Sequence, residues 1–447
     1  VPALCVTGWQ DGYPNFAPRI ARNATAPVKL LIGPWIHQWP WEANPGPNLD
    51  SWRGHVIPWF DYWLKEERNG VMDEPPVTLF MQQAGTQGFG YRQDTPGTWL
   101  HMSALPDNFF SPDTRLFLSP DHSVPLARVL AADGPVGDGG ALAELAPAAG
   151  AIRHRYRPGV GMRVKSFAPD GSDGVYGMDQ RIEDRAGMAF DTAPLRQEMH
   201  LLGFAKARLF VAASAPSSCW IVRICDVAPD GTSVFVTRGV LNAVYRHGFT
   251  TPQPMQPGEV YPLEIELYSA GWTFRPDHRV RVVVSNADWP HIWPTPHAML
   301  TTLYTGGDRP SHIDLPLFDG RGVAGPELPG PVVDDFPTGV TSEASGLPGG
   351  VYRIEHDVPN AIHKAVFEYD RSRRTVLPNG TRLATTRTLI MQVNDREPAN
   401  STMQVIGTWT VDVNGRRVST SSSGELASDA DSFRLTIDAE LRENDAP

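Results

Sequence analysis

With 447 residues and 41% hydrophobic content, the chain has enough apolar material for about three domains of ~150 residues, each with a core. The formal charge of −11 argues against a nucleic-acid groove or an anionic membrane surface as the main partner, because both need clustered Lys and Arg. No apolar run approaches the ~20 residues of a membrane-spanning helix, and Gly 41 with Pro 42 implies many short, turn-punctuated elements and a large β component.

The first element is an apolar run at Ala3–Thr7 without alternation, which predicts a parallel strand covered on both faces. A strand so close to a first residue that is Val leads to the expectation that the chain is the C-terminal part of a longer protein. Gly8–Tyr13 then reads as a loop, and PNFAPRIARNA as a helix that Pro18 limits and Pro27 closes. Val28–Ile32 is a second apolar strand. Strand, helix and strand within about 30 residues make a right-handed βαβ unit. Asp11 follows the first strand and His37 the second, so both are expected on one edge of a parallel sheet, where open α/β sheets bind ligands.

Ser51–Asn69 carries apolar residues at 52, 56, 59, 60, 63 and 64, a helical spacing with an aromatic face, interrupted near Pro58. That stripe is read as core packing. Val77–Gln82 resembles a further strand. From about Leu105 the pattern becomes short strands with turns, at Thr114–Ser119, Lys206–Ala213, Trp220–Val227, Ser233–Thr237, Tyr261–Tyr268, Arg279–Ser285 and Leu300–Tyr304. Asp230-Gly231 marks a tight turn between two of them. Such a pattern predicts a sandwich or jelly roll. Ala131–Gly150 reads as a flexible loop, and Phe318–Gly350 as a linker. Beyond it, Val351–Leu441 returns to strands, with Asn414-Gly415 the strongest hairpin signal in the chain. The expected architecture is therefore α/β plus all-β: an α/β piece over 1–105, a jelly-roll β-sandwich over 106–318, a linker over 319–350 and an appended antiparallel β domain over 351–447.

The three cysteines, Cys5, Cys219 and Cys225, show no CxxC metal spacing and cannot all pair. They read as small buried hydrophobes in a reducing compartment, which leans towards the cytoplasm without fixing the localisation.

An Asp and a His at neighbouring strand ends are two parts of a charge-stabilised nucleophile. The carboxylate holds one imidazole nitrogen and the other takes a proton from a hydroxyl. In α/β hydrolases the chain order is nucleophile, acid, base. Asp11 precedes His37, which fits, and the serine belongs earlier on a G-x-S-x-G elbow. No such motif occurs in these residues. Taken singly, either residue has a plainer role: Asp11 as a cap for the helix near Pro14, His37 as a loop histidine.

Gly8-Trp9-Gln10-Asp11-Gly12-Tyr13 and Gly33-Pro34-Trp35-Ile36-His37 resemble the GW-x-D-G-[YF] acid loop and the GPW-x-H base loop of the cocaine-esterase / X-Pro dipeptidyl-peptidase (CocE/NonD) family of serine hydrolases. Gln10 departs from the aromatic residue common there, a change expected at the loop surface. FDYWLKEERNGVMDEPPVTLFM, TRLFLSPD, WIVRICDVAPDGTSVFVTRGVLNAVYR and RPDHRVRVVVSNADWP extend the resemblance to about residue 318. It implies an α/β-hydrolase piece followed by a galactose-binding-like jelly roll. It implies Asp11 as triad acid, His37 as general base, and a serine and oxyanion hole upstream of residue 1. Hydrolysis of a small ester or X-Pro-type amide through an acyl-enzyme follows, with no metal or organic cofactor. Trp9 and Trp35 are candidates for a substrate pocket, with packing beneath the strand ends as the alternative. The chain alone is expected to be inactive, with strand edges exposed at 3–7 and 28–32. The resemblance leaves the oligomeric state open.

Two other readings compete. One is a metal-dependent hydrolase using Asp11, His37 and His55 or His101, although no HExxH is present. The other is a β-rich carbohydrate- or protein-binding module with a non-catalytic α/β remnant, in which Trp289, His291 and Trp293 form an aromatic platform.

Overall fold

The computed structural model describes residues 1–37, 40, 46–47, 52–85, 95–120, 140–164, 177–320, 323–324, 341–343 and 351–444. These residues divide into two compact units. One contains 1–155, 163–286 and 299–333, and the other contains 156–162, 287–298 and 334–447.

The first unit begins with the expected βαβ segment. β1 (Ala3–Gly8) and β2 (Val28–Gly33) pair in parallel from Ala3↔Val28 to Gly8↔Gly33, and α1 (Phe16–Asn23) crosses between them. β3 (Val77–Gln83) joins β2 in parallel, and β4 (Gly97–Met102) returns antiparallel to β3. β2 is thus interior, with partners on both sides. The edge expected at 28–32 is absent because residues 77–79 hydrogen-bond along it. β1 is the outer strand of the sheet among the described residues.

This sheet does not stop at residue 105. The strand Ala270–Phe274 pairs in parallel with β3, Met199–Gly203 pairs antiparallel with that strand, and Leu317–Phe318 follows. A parallel strand left at an edge is an open template, and segments far along the chain supply its partners. One apolar core therefore joins Cys5, Trp9, Leu30, Ile32, Leu79 and Met81 to Phe109, Leu202 and Phe204.

α2 (Trp52–Lys65) runs through Pro58 without a break. Of its aromatic stripe, Trp59 is buried, whereas Phe60 and Leu64 are exposed, so the stripe packs only in part. A second sheet has eleven strands among the described residues and includes Thr114–Ser119, Lys206–Ala213, Cys219–Val227, Ser233–Asn242, Arg279–Ser285 and Leu300–Thr305. All its pairings are antiparallel except Gly140–Ala143 with Met188–Asp191. Gly140–Ala143 is a strand where a flexible loop is predicted. Residues 131–139 of that predicted loop lie outside the described residues. Every residue of Cys219–Val227 is buried, so this strand reads as a continuous apolar run with Arg223 and Asp226 embedded in it.

All three cysteines are free and buried. Burial pushes the Cys219 and Cys225 thiols up to about 12, and raises Cys5 in the same direction. The thiolate is the reactive form. The native chain is accordingly expected to take up no maleimide near neutral pH, and three equivalents once unfolded. Labelling of the native chain, read by intact mass, would contradict this packing.

In the second unit, seven strands make one antiparallel sheet among the described residues. Its long strands are Ile362–Val376, Arg382–Asn394, Thr402–Val413, Arg416–Ser428 and Phe433–Glu443. The hairpin at Asn414-Gly415 forms as predicted. Both residues take positive φ, 50° and 77°, which Asn and Gly tolerate. Of the predicted linker, most lies outside the described residues, while 341–343 pairs with Ile362–Val376. Trp289 is fully buried and packs edge-on against Trp293 at 5.5 Å, and the Trp293 indole donates to Ser428 Oγ at 3.0 Å. The DWPHIWP loop thus packs through Trp289 and Trp293 against its own unit, with His291 and Trp293 half-buried.

Candidate active site

β1 and β2 end in register at Gly8 and Gly33, so the two following loops start side by side. The backbone locks them together. Trp9 N donates to Gly33 O at 2.9 Å, and Gln10 N donates to Trp35 O at 3.0 Å. This closeness requires glycine at position 8, where a Cβ would lie 2.1 Å from the Trp35 carbonyl oxygen. Gly8→Ala is expected to destabilise the first unit by about 1–3 kcal/mol, as overpacking does. Urea unfolding would measure it, and an unchanged midpoint would show the loops to be less tightly joined.

The loops bring Asp11 and His37 together. His37 Nδ1 lies 3.1 Å from Asp11 Oδ1 and 3.3 Å from Oδ2. The Asp11 side chain is largely covered at 15% exposure, whereas the imidazole is 53% exposed. Asp11 Oδ1 also accepts from Tyr13 N at 3.1 Å, an Asx turn that holds the carboxylate. α1 begins at Phe16 with Asn15 before it, and Asn15 Oδ1 accepts from Ser269 N at 2.9 Å. Asp11 thus serves the loop rather than the helix N-terminus. The Tyr13 ring stands edge-on to His37 at 5.7 Å. Sequence reasoning passed over Tyr13, although the aromatic two residues after the Asp was visible in the motif. With Nδ1 facing the carboxylate, Nε2 is the ring nitrogen that can exchange a proton with a substrate or nucleophile.

Trp9 and Trp35 are both buried, at 4% and 1% exposure. The Trp9 indole donates to Phe80 O at 2.7 Å and the Trp35 indole to Pro47 O at 2.9 Å. Gln10, expected at the loop surface, is buried as well. It donates to Gln82 Oε1 at 3.1 Å, and Gln82 reaches Gly271 O at 3.4 Å. The loop surface has less room than the motif suggests because β3 runs directly beneath it. Of the histidines in the metal reading, His101 lies on β4 with Nδ1 3.1 Å from Thr78 Oγ1, and His55 lies on α2. Among the described residues, no three His, Cys, Asp or Glu side chains gather as a ligand set.

A second Asp–His pair lies in the same unit. Asp226 Oδ1 is 2.7 Å from His278 Nδ1, and Asp226 Oδ2 accepts from Trp272 Nε1 at 2.9 Å. Both residues are buried, and burial, opposed by these hydrogen bonds, raises the Asp226 carboxyl. Nothing in the local sequence marks this pair, because its members are 52 residues apart.

Residues 69–315, more than half of the chain, match the family of the X-Pro dipeptidyl-peptidase C-terminal non-catalytic domain. Asp11 and His37 lie before that segment. The chain is 25% identical over 349 residues to cocaine esterase of Rhodococcus sp., covering 71% of this chain and 56% of the relative. It spans about half the length of the curated relatives it matches. Among solved structures, an aminopeptidase from a Thaumarchaeota archaeon aligns with a TM-score of 0.55 at 22% identity, over 70% of this chain and 55% of that one. A CocE/NonD family hydrolase from Staphylococcus aureus aligns at 0.52 and 17% identity, over 71% and 54%. These likenesses concern the fold. By the match over 69–315, the chain belongs to the X-Pro dipeptidyl-peptidase C-terminal domain family, and it resembles the CocE/NonD hydrolases.

Proposed function

We propose that this chain supplies the acid and the base of a serine hydrolase, with Asp11 as the triad carboxylate and His37 as the general base. The single observation that carries the reading is the contact of His37 Nδ1 with Asp11 at 3.1 Å, across two loops that leave adjacent parallel strands. The serine would come from a polypeptide segment outside these 447 residues, which contain no G-x-S-x-G. That the matched part of this chain covers only about half of the curated relatives is consistent with this.

His37 Nε2 takes the proton from the serine hydroxyl as the oxygen attacks the substrate carbonyl. Asp11 stabilises the imidazolium and fixes its tautomer. The imidazolium then returns the proton to the leaving alcohol or amine, leaving an acyl-serine. Water, deprotonated by the same nitrogen, releases the acid. The substrates are small esters or X-Pro-type amides, and no metal or organic cofactor takes part. In this reading β1–β3 with α1 are the last part of an α/β-hydrolase sheet, and the eleven-stranded sheet is a jelly roll beside it. Trp9 and Trp35 act by packing beneath the loops, since both indoles are buried and hydrogen-bonded to carbonyls.

The test compares hydrolysis of a p-nitrophenyl ester by the polypeptide extended upstream with that by residues 1–447 alone. Turnover by the longer protein only is the expected result. Turnover by 1–447 alone, or an inert longer protein across esters and X-Pro amides, would overturn the reading.

A further inference from the structure

We propose that the strand Phe433–Glu443 pairs antiparallel with the same strand of a second copy of this chain, in a register centred on Ile437. Phe433–Glu443 is the outer strand of the second unit's sheet among the described residues. Its inner side pairs without interruption from Val418↔Glu443 to Ser428↔Phe433. Open edges are normally blunted by brevity, charged side chains, Pro or a bulge. This strand is eleven residues long, contains no Pro, has no register shift against its partner, and carries its charges, Glu443 apart, on one face only. All eleven residues are exposed. Phe433, Leu435, Ile437 and Leu441 share one face and are 63–67% exposed. Trp409, two strands further in, is exposed too. So much apolar surface on one face of a long, unbulged edge is the mark of a pairing surface.

The other face selects the partner. It reads Arg434, Thr436, Asp438, Glu440 and Arg442. When two copies run antiparallel about Ile437, Arg434 falls opposite Glu440 of the second copy, and Glu440 opposite its Arg434. Phe433 falls opposite Leu441, Leu435 opposite Ala439, and Ile437 opposite itself. Nine residues overlap, with two opposite-charge pairs and no like-charge pair. The Glu440–Arg442 contact within the strand, 2.9 Å, adds a second cation beside each Glu440. Moving the centre to Asp438 puts Arg434 opposite Arg442 and Asp438 opposite Asp438, which is repulsive. Moving it to Thr436 keeps two opposite-charge pairs, Arg434 with Asp438, but shortens the overlap to seven residues and leaves Glu440 opposite Ser432. A one-residue slip sets apolar side chains against charged ones. The pairing is isologous, so two copies consume both edges and the assembly closes.

Analytical ultracentrifugation of the full chain over a concentration series provides the test, and a dimer is expected. Glu440→Arg turns both cross-copy pairs repulsive and is expected to weaken dimerisation at least about tenfold. Arg434→Glu combined with Glu440→Arg restores opposite charges and the dimer. Ile437→Cys is expected to give a cross-linked dimer under mild oxidation, because the two positions face each other. All these side chains are exposed, so the variants leave the fold intact. A chain that stays monomeric throughout the series overturns the proposal. So does a dimer that Glu440→Arg leaves unchanged and that Ile437→Cys does not cross-link.

Discussion

On the proposed reading, His37→Gln, made in a polypeptide extended upstream of residue 1, is expected to lower kcat for an activated ester by about 10³–10⁴-fold, and Asp11→Asn by a similar factor. Gln retains the side-chain volume and can hydrogen-bond Asp11, but cannot accept a proton near neutral pH. Asn in place of Asp11 still fills the loop but presents an amide where the imidazole needs an anion. It leaves the ring in the wrong tautomer for accepting a proton at Nε2. If the two side chains, 3.1 Å apart, act as the proposed unit, the double variant is expected to lose little more than either single one. A structural role predicts a different outcome: lowered stability, additive losses, and a kcat that survives in whatever protein folds. Steady-state kinetics, with thermal unfolding of the same samples, separates the two. The half-exposed imidazole makes a folding defect from His37→Gln small, so a kinetic loss at unchanged stability is the expected pattern.

Asp184→Ala is expected to be the most destabilising single change in the first unit, at about 3–5 kcal/mol. Asp184 is fully buried. It accepts from Arg223 Nη2 at 2.8 Å, Arg281 Nη1 at 3.0 Å and Ser233 Oγ at 2.7 Å. Arg281 keeps a second carboxylate in Asp191, at 2.6 Å and 2.7 Å. Arg223 is almost fully buried, and its Nε has no hydrogen-bond partner among the described residues. Removing Asp184 therefore strands a guanidinium inside the sheet, and a buried charge without its counter-ion costs far more than the pair contributes. Asp184→Asn keeps an acceptor and should fall between wild type and Ala. The exposed pair Arg353–Glu355 gives the contrast, since Arg353→Ala is expected to cost less than about 1 kcal/mol. Hydrogen–deuterium exchange along Cys219–Val227 reports the effect locally. Unchanged protection there in Asp184→Ala would show that the ion cluster does not hold this strand.

The Asp11–His37 contact was legible in the sequence because both residues sit one short loop beyond apolar parallel strands, and adjacent strands bring such loops together. The loops' glycines also pointed that way, although only the folded structure shows that Gly8 leaves no room for a Cβ beneath Trp35. What lay deeper was not visible. Gln10 looked like a surface residue because its partner Gln82 is 72 positions away. The division near residue 105 looked natural because the pattern changes there from helix-containing to all-strand. Yet Ala270–Phe274 returns to extend the first sheet, and no local pattern reveals which edge a short apolar strand will join. The buried ion cluster escaped notice for the same reason, as Asp184, Arg223 and Arg281 are ordinary charged residues until the sheet assembles around them. Apolar alternation placed most strands well, whereas the strand at Gly140–Ala143 was hidden by an Ala/Gly-rich composition that favours no regular structure.

The most direct measurement is the rate at which a fluorophosphonate modifies the polypeptide extended upstream, with and without His37, located by peptide mass. Fast attachment to one serine before residue 1, slowed by about 10³-fold or more in His37→Gln, is what the proposed acid–base pair requires. Attachment at an undiminished rate in His37→Gln, or none at all in the wild-type protein, would contradict it.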